Sequence, residues 1–198
     1  MSCRTGTFLV FGALLTLSSC DKGAQAPDPA APGALRAVGP YFDVRGLLDA
    51  QIRRLAARHP GATKEVSLRG GPVEKVQVPQ VKWADELQIF YQADINKAAL
   101  RGAYRVDSAT EAGGATRRTY TAQPGHDNVT VTRLTVLSAG GQPQELDATL
   151  RQDNPLFFGK KQFHLTLRQG ELSAYNVRGL QKLVLFDTLR FSTNVRVQ

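Results

Sequence analysis

An α+β fold is predicted by two observations: apolar residues recur at three- and four-residue steps over about 44–58 and 82–93, on either side of a short hairpin, and beyond residue 103 they alternate. In this reading two N-terminal amphipathic helices pack on one face of a curled, mainly antiparallel sheet. The alternation is cleanest in Leu146-Ala148-Leu150, in Phe163-Leu165-Leu167 and in Leu189-Phe191-Thr193-Val195-Val197. Such strands bury one face and wet the other, the habit of antiparallel sheets.

The first helix is expected over 44–58, with Asp43 as its cap. Val44, Leu47, Leu48, Ile52 and Leu55 form one face, and Arg45, Arg53, Arg54 and Arg58 lie mostly on the other. His59-Pro60-Gly61 ends it, because proline cannot continue a helix and glycine accepts turn geometry. A hairpin follows, in which Val66 and Leu68 alternate with polar residues, Gly70-Gly71 turns the chain, and Val76 and Val78 return. Pro72 places the return strand near a sheet edge. The second helix is expected over about 82–93, where Trp83, Leu87 and Phe90 share a face and Asp85 and Glu86 occupy the dipole-favoured first turn. Asn96 caps a further short turn that ends at Gly102. Strands are then expected at about 103–107, 116–121, 129–138, 144–151, 161–168, 171–178, 181–186 and 188–197. Their wet face would carry His164, Thr166, Arg168, Arg190, Ser192, Asn194 and Arg196.

Ahead of this body, Phe8 to Leu17 is an unbroken apolar or small stretch behind Arg4, and it runs into Leu17-Ser18-Ser19-Cys20. It is about half of the roughly 20 residues that a bilayer-crossing helix needs, so a secretory signal is the better reading. The four residues at its end resemble the lipobox of bacterial lipoproteins. That resemblance implies cleavage before Cys20, acylation of Cys20 (palmitate among the chains), and attachment to a membrane of the cell envelope. The outer membrane is preferred to the inner, although Asp21 favours inner-membrane retention in some Gram-negative groups. The expected organisation is a signal peptide over 1–19, the lipidated cysteine with a Pro/Ala/Gly-rich tether over 20–40, and one α+β domain over 41–198. Extended at about 3 Å per residue, the tether reaches on the order of 60 Å.

The chain has 25 Lys and Arg against 17 Asp and Glu, formally +8. The basic residues are scattered, with no run longer than a pair, so no clustered face for nucleic acid is expected. Loss of 1–19 would leave Cys20 as the only cysteine, which excludes an internal disulfide and places stability on burial. A second resemblance rests on Trp83-x-x-Glu86-Leu87, Asp94-Ile95-Asn96-Lys97 and Tyr104. It is similar to a pattern in uncharacterised Gram-negative envelope lipoproteins, covers about a tenth of the chain, and implies no chemistry.

No catalytic motif is legible. The histidines, His59, His126 and His164, have no metal-ligand spacing, and there is no G-x-S-x-G elbow, S-x-x-K pair or phosphate loop. No cofactor and no metal are expected, and a nucleophile–histidine–acid triad stays open because its members need not be neighbours in sequence. The most suggestive local feature is Leu156-Phe157-Phe158, between Pro155 and Gly159-Lys160-Lys161. It reads either as a binding lip or as a strand buried on both faces. The functional expectation is a non-catalytic binding role, for an envelope protein partner or an apolar ligand such as lipid held between sheet and helices. The alternatives are an envelope glycan or peptide hydrolase and a passive structural or assembly subunit. The oligomeric state is left open.

Overall fold

A computed structural model describes residues 39–126 and 129–198. The expected signal segment, Cys20, the tether up to residue 38, and the Asp127-Asn128 pair lie outside the described residues. Within them, nine strands form one sheet: β1 (Ala62–Leu68), β2 (Glu74–Val78), β3 (Tyr104–Thr110), β4 (Thr116–Ala122), β5 (Val131–Ala139), β6 (Gln142–Asn154), β7 (Phe157–Arg168), β8 (Glu171–Leu183) and β9 (Leu189–Val197). Every neighbouring pair is antiparallel. Strands β3 to β9 run as a meander, and the β1–β2 hairpin joins the last of them, giving the order β2-β1-β9-β8-β7-β6-β5-β4-β3.

This corrects the α+β expectation of two amphipathic helices on a sheet. Among the described residues only α1 (Val44–Arg58) exceeds one turn of α-helix. Where a second helix was expected over 82–93, a single turn, α2 (Trp83–Glu86), gives way to a 3₁₀ segment over Gln88–Ala93. Leu87, Phe90 and Ala93 are all fully buried. Their spacing of three is the 3₁₀ repeat, which stacks i, i+3 and i+6 in line. Trp83-Leu87-Phe90 fits an α-helix equally well in sequence, and only the sheet beneath selects the tighter coil. The fold is mainly β.

Helix α1 begins as its residues dictate. Asp43 Oδ1 accepts the Gly46 N–H at 2.8 Å, and a Cβ on residue 46 would sit 2.3 Å from the Asp43 carboxylate. His59, rather than Gly61, takes the left-handed cap conformation (φ 49°), its N–H bonding to Leu55 O at 2.9 Å. Three side chains latch this helix to the β7–β8 turn. Gln51, buried, donates to Gly170 O at 3.0 Å and accepts the Leu172 N–H at 2.8 Å. Arg54 also donates to Gly170 O, and Arg58 pairs with Glu171.

One sheet face carries the core. In register across it lie Tyr120, Leu134, Ala148, Phe163 and Val177, and beside them Val136, Leu146, Leu165, Tyr175 and Val195. Phe90 seats this face: its ring meets Phe163 and Tyr175 edge-on, with both centroid distances 5.1 Å. The space between helical layer and sheet is therefore occupied by interlocked side chains at this point. Tyr41 does the same at β3 and β4, edge-on to Tyr104 and Tyr120 at 5.3 and 5.8 Å.

Strand β8 also departs from expectation. It runs unbroken through Gly179, where a break between strands at 171–178 and 181–186 was read. The Phe191 ring lies over Gly179, so a Cβ there would come within 2.6 Å of Phe191 Cζ. This glycine makes room for an aromatic on the next strand and ends nothing. Residues 184–186 consequently fall in the β8–β9 turn.

The sheet is larger than the layer above it. Along the strands the core-side positions lose their cover: Phe163 and Val177 are buried, Phe157 and Gln181 only partly so, and Leu183 is exposed. The core face is covered near α1 and the 3₁₀ segment and left open toward one end. Lys161 Nζ donates to Gln92 Oε1 at 3.1 Å, tying the 3₁₀ segment to β7.

Candidate functional site

The open end is where the chain turns from β6 to β7, from β8 to β9 and from β1 to β2. Antiparallel order puts these three turns side by side. The first is an Asx-type turn, with Asn154 Oδ1 accepting the Leu156 N–H at 3.0 Å and the Phe157 N–H at 2.9 Å. It touches the second through Val184 N–H to Leu156 O at 3.3 Å. These two turns and the last residue of β8 hold out five large apolar side chains: Leu156 is 71% exposed, Leu183 49%, Val184 59%, Leu185 89% and Phe186 70%. Leu68 and Val73 add to them at the third turn.

The sequence-predicted lip is only partly brought together. Leu156 joins the exposed group, but Phe157 and Phe158 point to opposite faces of β7 and are half-buried. Phe157 lies over Gly159, where a Cβ would come within 2.8 Å of its ring. Phe158 lies beneath the Arg151 guanidinium, 5.3 Å from the ring centroid. Neither reading of the triplet describes it, because the two rings lie on opposite faces of the strand and neither is buried or fully exposed. Sequence reasoning missed Leu183-Val184-Leu185-Phe186, which was assigned to a strand. The signal was present: four apolar residues in a row have no alternation, and a sheet covered on one face cannot bury them all.

Basic residues stand around this end. Lys160, Gln162, Arg178 and Arg190 line one depression on the face away from α1, together with Gly179, Leu180 and Phe191. Lys182 and Arg69 are exposed at the adjacent turns. Asp153, Asp187 and Glu74 are the acids nearby in sequence.

The outer face carries a continuous polar row. Register aligns Asp107, Thr119, Thr135, Asp147, His164, Asn176, Asn194, Glu65 and Lys75 across all nine strands. Within it, Asp147 Oδ1 lies 2.7 Å from His164 Nδ1, and Thr166 Oγ1 lies 3.1 Å from His164 Nε2. That is the connectivity of a hydroxyl–histidine–acid relay. Its setting differs, since the His164 and Asp147 side chains are 41% and 47% exposed. Oxyanion stabilisation draws its strength from a water-excluded, low-dielectric site, and these groups face water.

Asp85 and Glu86 lie in the first turn of α2, as the sequence predicts. Glu86 also accepts from the Tyr175 hydroxyl and pairs with Lys64. Other side chains between Trp83 and Tyr104 also make bonds that hold the fold together. Trp83 Nε1 donates to Pro60 O at 3.3 Å, Asp94 Oδ1 accepts the Asn96 N–H at 3.0 Å, and Tyr104 donates to Val131 O at 2.9 Å. His59 caps α1, and His126 and His164 lie apart from it in sequence and element. Among the described residues, no group of three His, Cys, Asp or Glu side chains is placed to hold a metal ion, and no helix is long and apolar enough to cross a membrane.

Two buried phenols give a solution signature. Burial, and then the Glu86 carboxylate, push the Tyr175 proton far above the usual range; burial, and then Tyr41, do so for Tyr104. Unfolded tyrosines ionise at about pH 10. Above that pH the unfolded chain loses protons that the folded chain keeps, so stability falls as pH rises and is unaffected by these groups below it. An alkaline titration at the phenolate band should show two phenols that ionise only with unfolding. Substituting both by phenylalanine should remove that late component; if it persists, the assignment is wrong.

Fold and site thus define a broad antiparallel sheet with a one-sided, incomplete helical cover and an apolar, basic-rimmed end. Compared with protein-family models, curated proteins and solved structures, the chain matches none.

Proposed function

We propose that the chain is a lipid-anchored protein of the bacterial cell envelope, acylated at Cys20, with a non-catalytic binding role. The ligand is an envelope protein partner or an apolar molecule such as a lipid, taken up at the turn-bearing end of the sheet. The observation that carries the binding role is the group of exposed apolar side chains at Leu156 and Leu183 to Phe186. A contiguous apolar patch on a soluble body is the mark of an interaction surface. An internal site is less favoured, because aromatic rings occupy the space between Phe90 and the sheet. The anchor is supported by the apolar run ending in Leu17-Ser18-Ser19-Cys20. Outer-membrane attachment is preferred, with the tether giving the body reach.

The test is the intact mass of the chain isolated from envelope membranes of a Gram-negative host. The expected species begins at Cys20 and carries acyl mass. Retention of residues 1–19, or an unmodified thiol at the start, defeats the anchoring claim.

A further inference from the structure

We propose that the apolar turns are a membrane-insertion element, and that the basic residues behind them bind the headgroups of an anionic phospholipid bilayer. Three observations converge on a bilayer as the occupant. The first is shape. Leu156, Val184, Leu185 and Phe186 sit on two neighbouring turns at the extreme end of the longest strands, each with more than half of its surface in solvent. Such a tip suits shallow burial in the headgroup–acyl boundary, where apolar side chains penetrate about 5–10 Å.

The second is charge. Lys160, Arg178 and Arg190 line one depression a few residues along the same strands, and Lys182 directly precedes the apolar run. A basic collar set back from an apolar tip is the order in which a membrane presents headgroups and chains. A lipid surface attracts such residues by about 1 kcal/mol each, so a few of them supplement a shallow insertion.

The third is where the chain enters the body, and this argument rests on the anchoring proposed above. The antiparallel meander puts the start of β3 at the same sheet end as the β6–β7 and β8–β9 turns. Tyr41, near the beginning of the described body, packs on Tyr104, the first residue of β3. Asn96 holds it there through bonds to the Tyr41 and Phe42 backbone. The chain therefore joins the body at the same sheet end as the apolar turns, and a tether of about 60 Å reach leaves the tip free to meet the membrane that holds the lipid.

The test is sedimentation of the processed chain, residues 20–198 with Cys20→Ala, with lipid vesicles, so that no acyl group contributes. Vesicles of phosphatidylglycerol and phosphatidylethanolamine should bind it, and vesicles of phosphatidylcholine alone should bind it at least about fivefold more weakly. Leu185→Asp combined with Phe186→Asp should weaken binding by about tenfold or more. Lys160→Glu combined with Arg190→Glu should weaken it about tenfold on the anionic vesicles and make the residual binding less sensitive to salt. Both pairs of substitutions are at exposed positions, so unchanged thermal unfolding reports that the fold is intact. Failure of the parent chain to bind anionic vesicles, binding indifferent to both double variants, or capture of a protein partner by the tip without vesicle binding each overturns the proposal. Vesicle binding without acyl mass on the native chain leaves the insertion element standing and removes the anchor; acyl mass without vesicle binding does the reverse.

Discussion

Phe90→Ala is expected to destabilise the folded chain by about 4 kcal/mol, the range for deleting a fully buried phenylalanine. Against the typical 5–15 kcal/mol of a domain this is a large share. Its ring is 1% exposed and touches Phe163 and Tyr175 edge-on, so its removal loses apolar burial and two aromatic contacts and leaves a cavity between two rigid layers. The sheet cannot close over that cavity, because the 3₁₀ segment is also held at Leu87 and Ala93. Phe90→Leu, which refills most of the volume, should cost about half as much. The measurement is urea unfolding, with the midpoint moving and the slope unchanged. A loss below about 1.5 kcal/mol for the alanine variant would mean that this ring does not seat the helical layer.

Asn96→Ala is expected to cost about 3 kcal/mol, near 1 kcal/mol for each of three hydrogen bonds. Asn96 Oδ1 accepts the Tyr41 N–H at 3.1 Å, and Nδ2 donates to Tyr41 O at 3.2 Å and Phe42 O at 2.9 Å. One side chain thus satisfies both polar groups of Tyr41 and one of Phe42 just before α1 begins. Asn96→Asp tests the geometry: it keeps the acceptor but turns the donor into a charged acceptor facing two carbonyls, so it should be no better than alanine. The local signature is hydrogen exchange, where Tyr41 and the first turn of α1 should lose protection while the β6–β7–β8 strands keep theirs. Uniform loss of protection across both regions would contradict a local clamp.

Much of the sheet was legible because strand periodicity is a local property. Leu146-Ala148-Leu150 and Phe163-Leu165-Leu167 alternate whatever covers them, so their core face follows from the residues alone. The same holds for the outward placement of His164, Asn194 and Arg196. The α1 signals are local too: the Asp43 cap, the apolar stripe and the His59-Pro60 stop all act within a few residues. The candidate site was legible only at Leu156. Phe157 and Phe158 took opposite faces, and the larger apolar group at Leu183 to Phe186 was read as strand. Whether an apolar run is core or surface depends on what lies above it, and no local pattern states that.

Taken by itself, the amino-acid order determined the strand faces, the long helix and its ends, the edge position signalled by Pro72, and the expectation of an export signal and lipid anchor. Tertiary structure alone decided that residues 82–93 coil as one α turn and a 3₁₀ segment, that β8 passes through Gly179, and that the β1–β2 hairpin closes onto β9. It also decided that the covering layer stops short of the turns. The physical reason is common to all four. Each is settled by contact between residues far apart in the chain, where the ring of Phe191 over Gly179 or of Phe90 on Phe163 selects among local conformations that the backbone finds nearly equal.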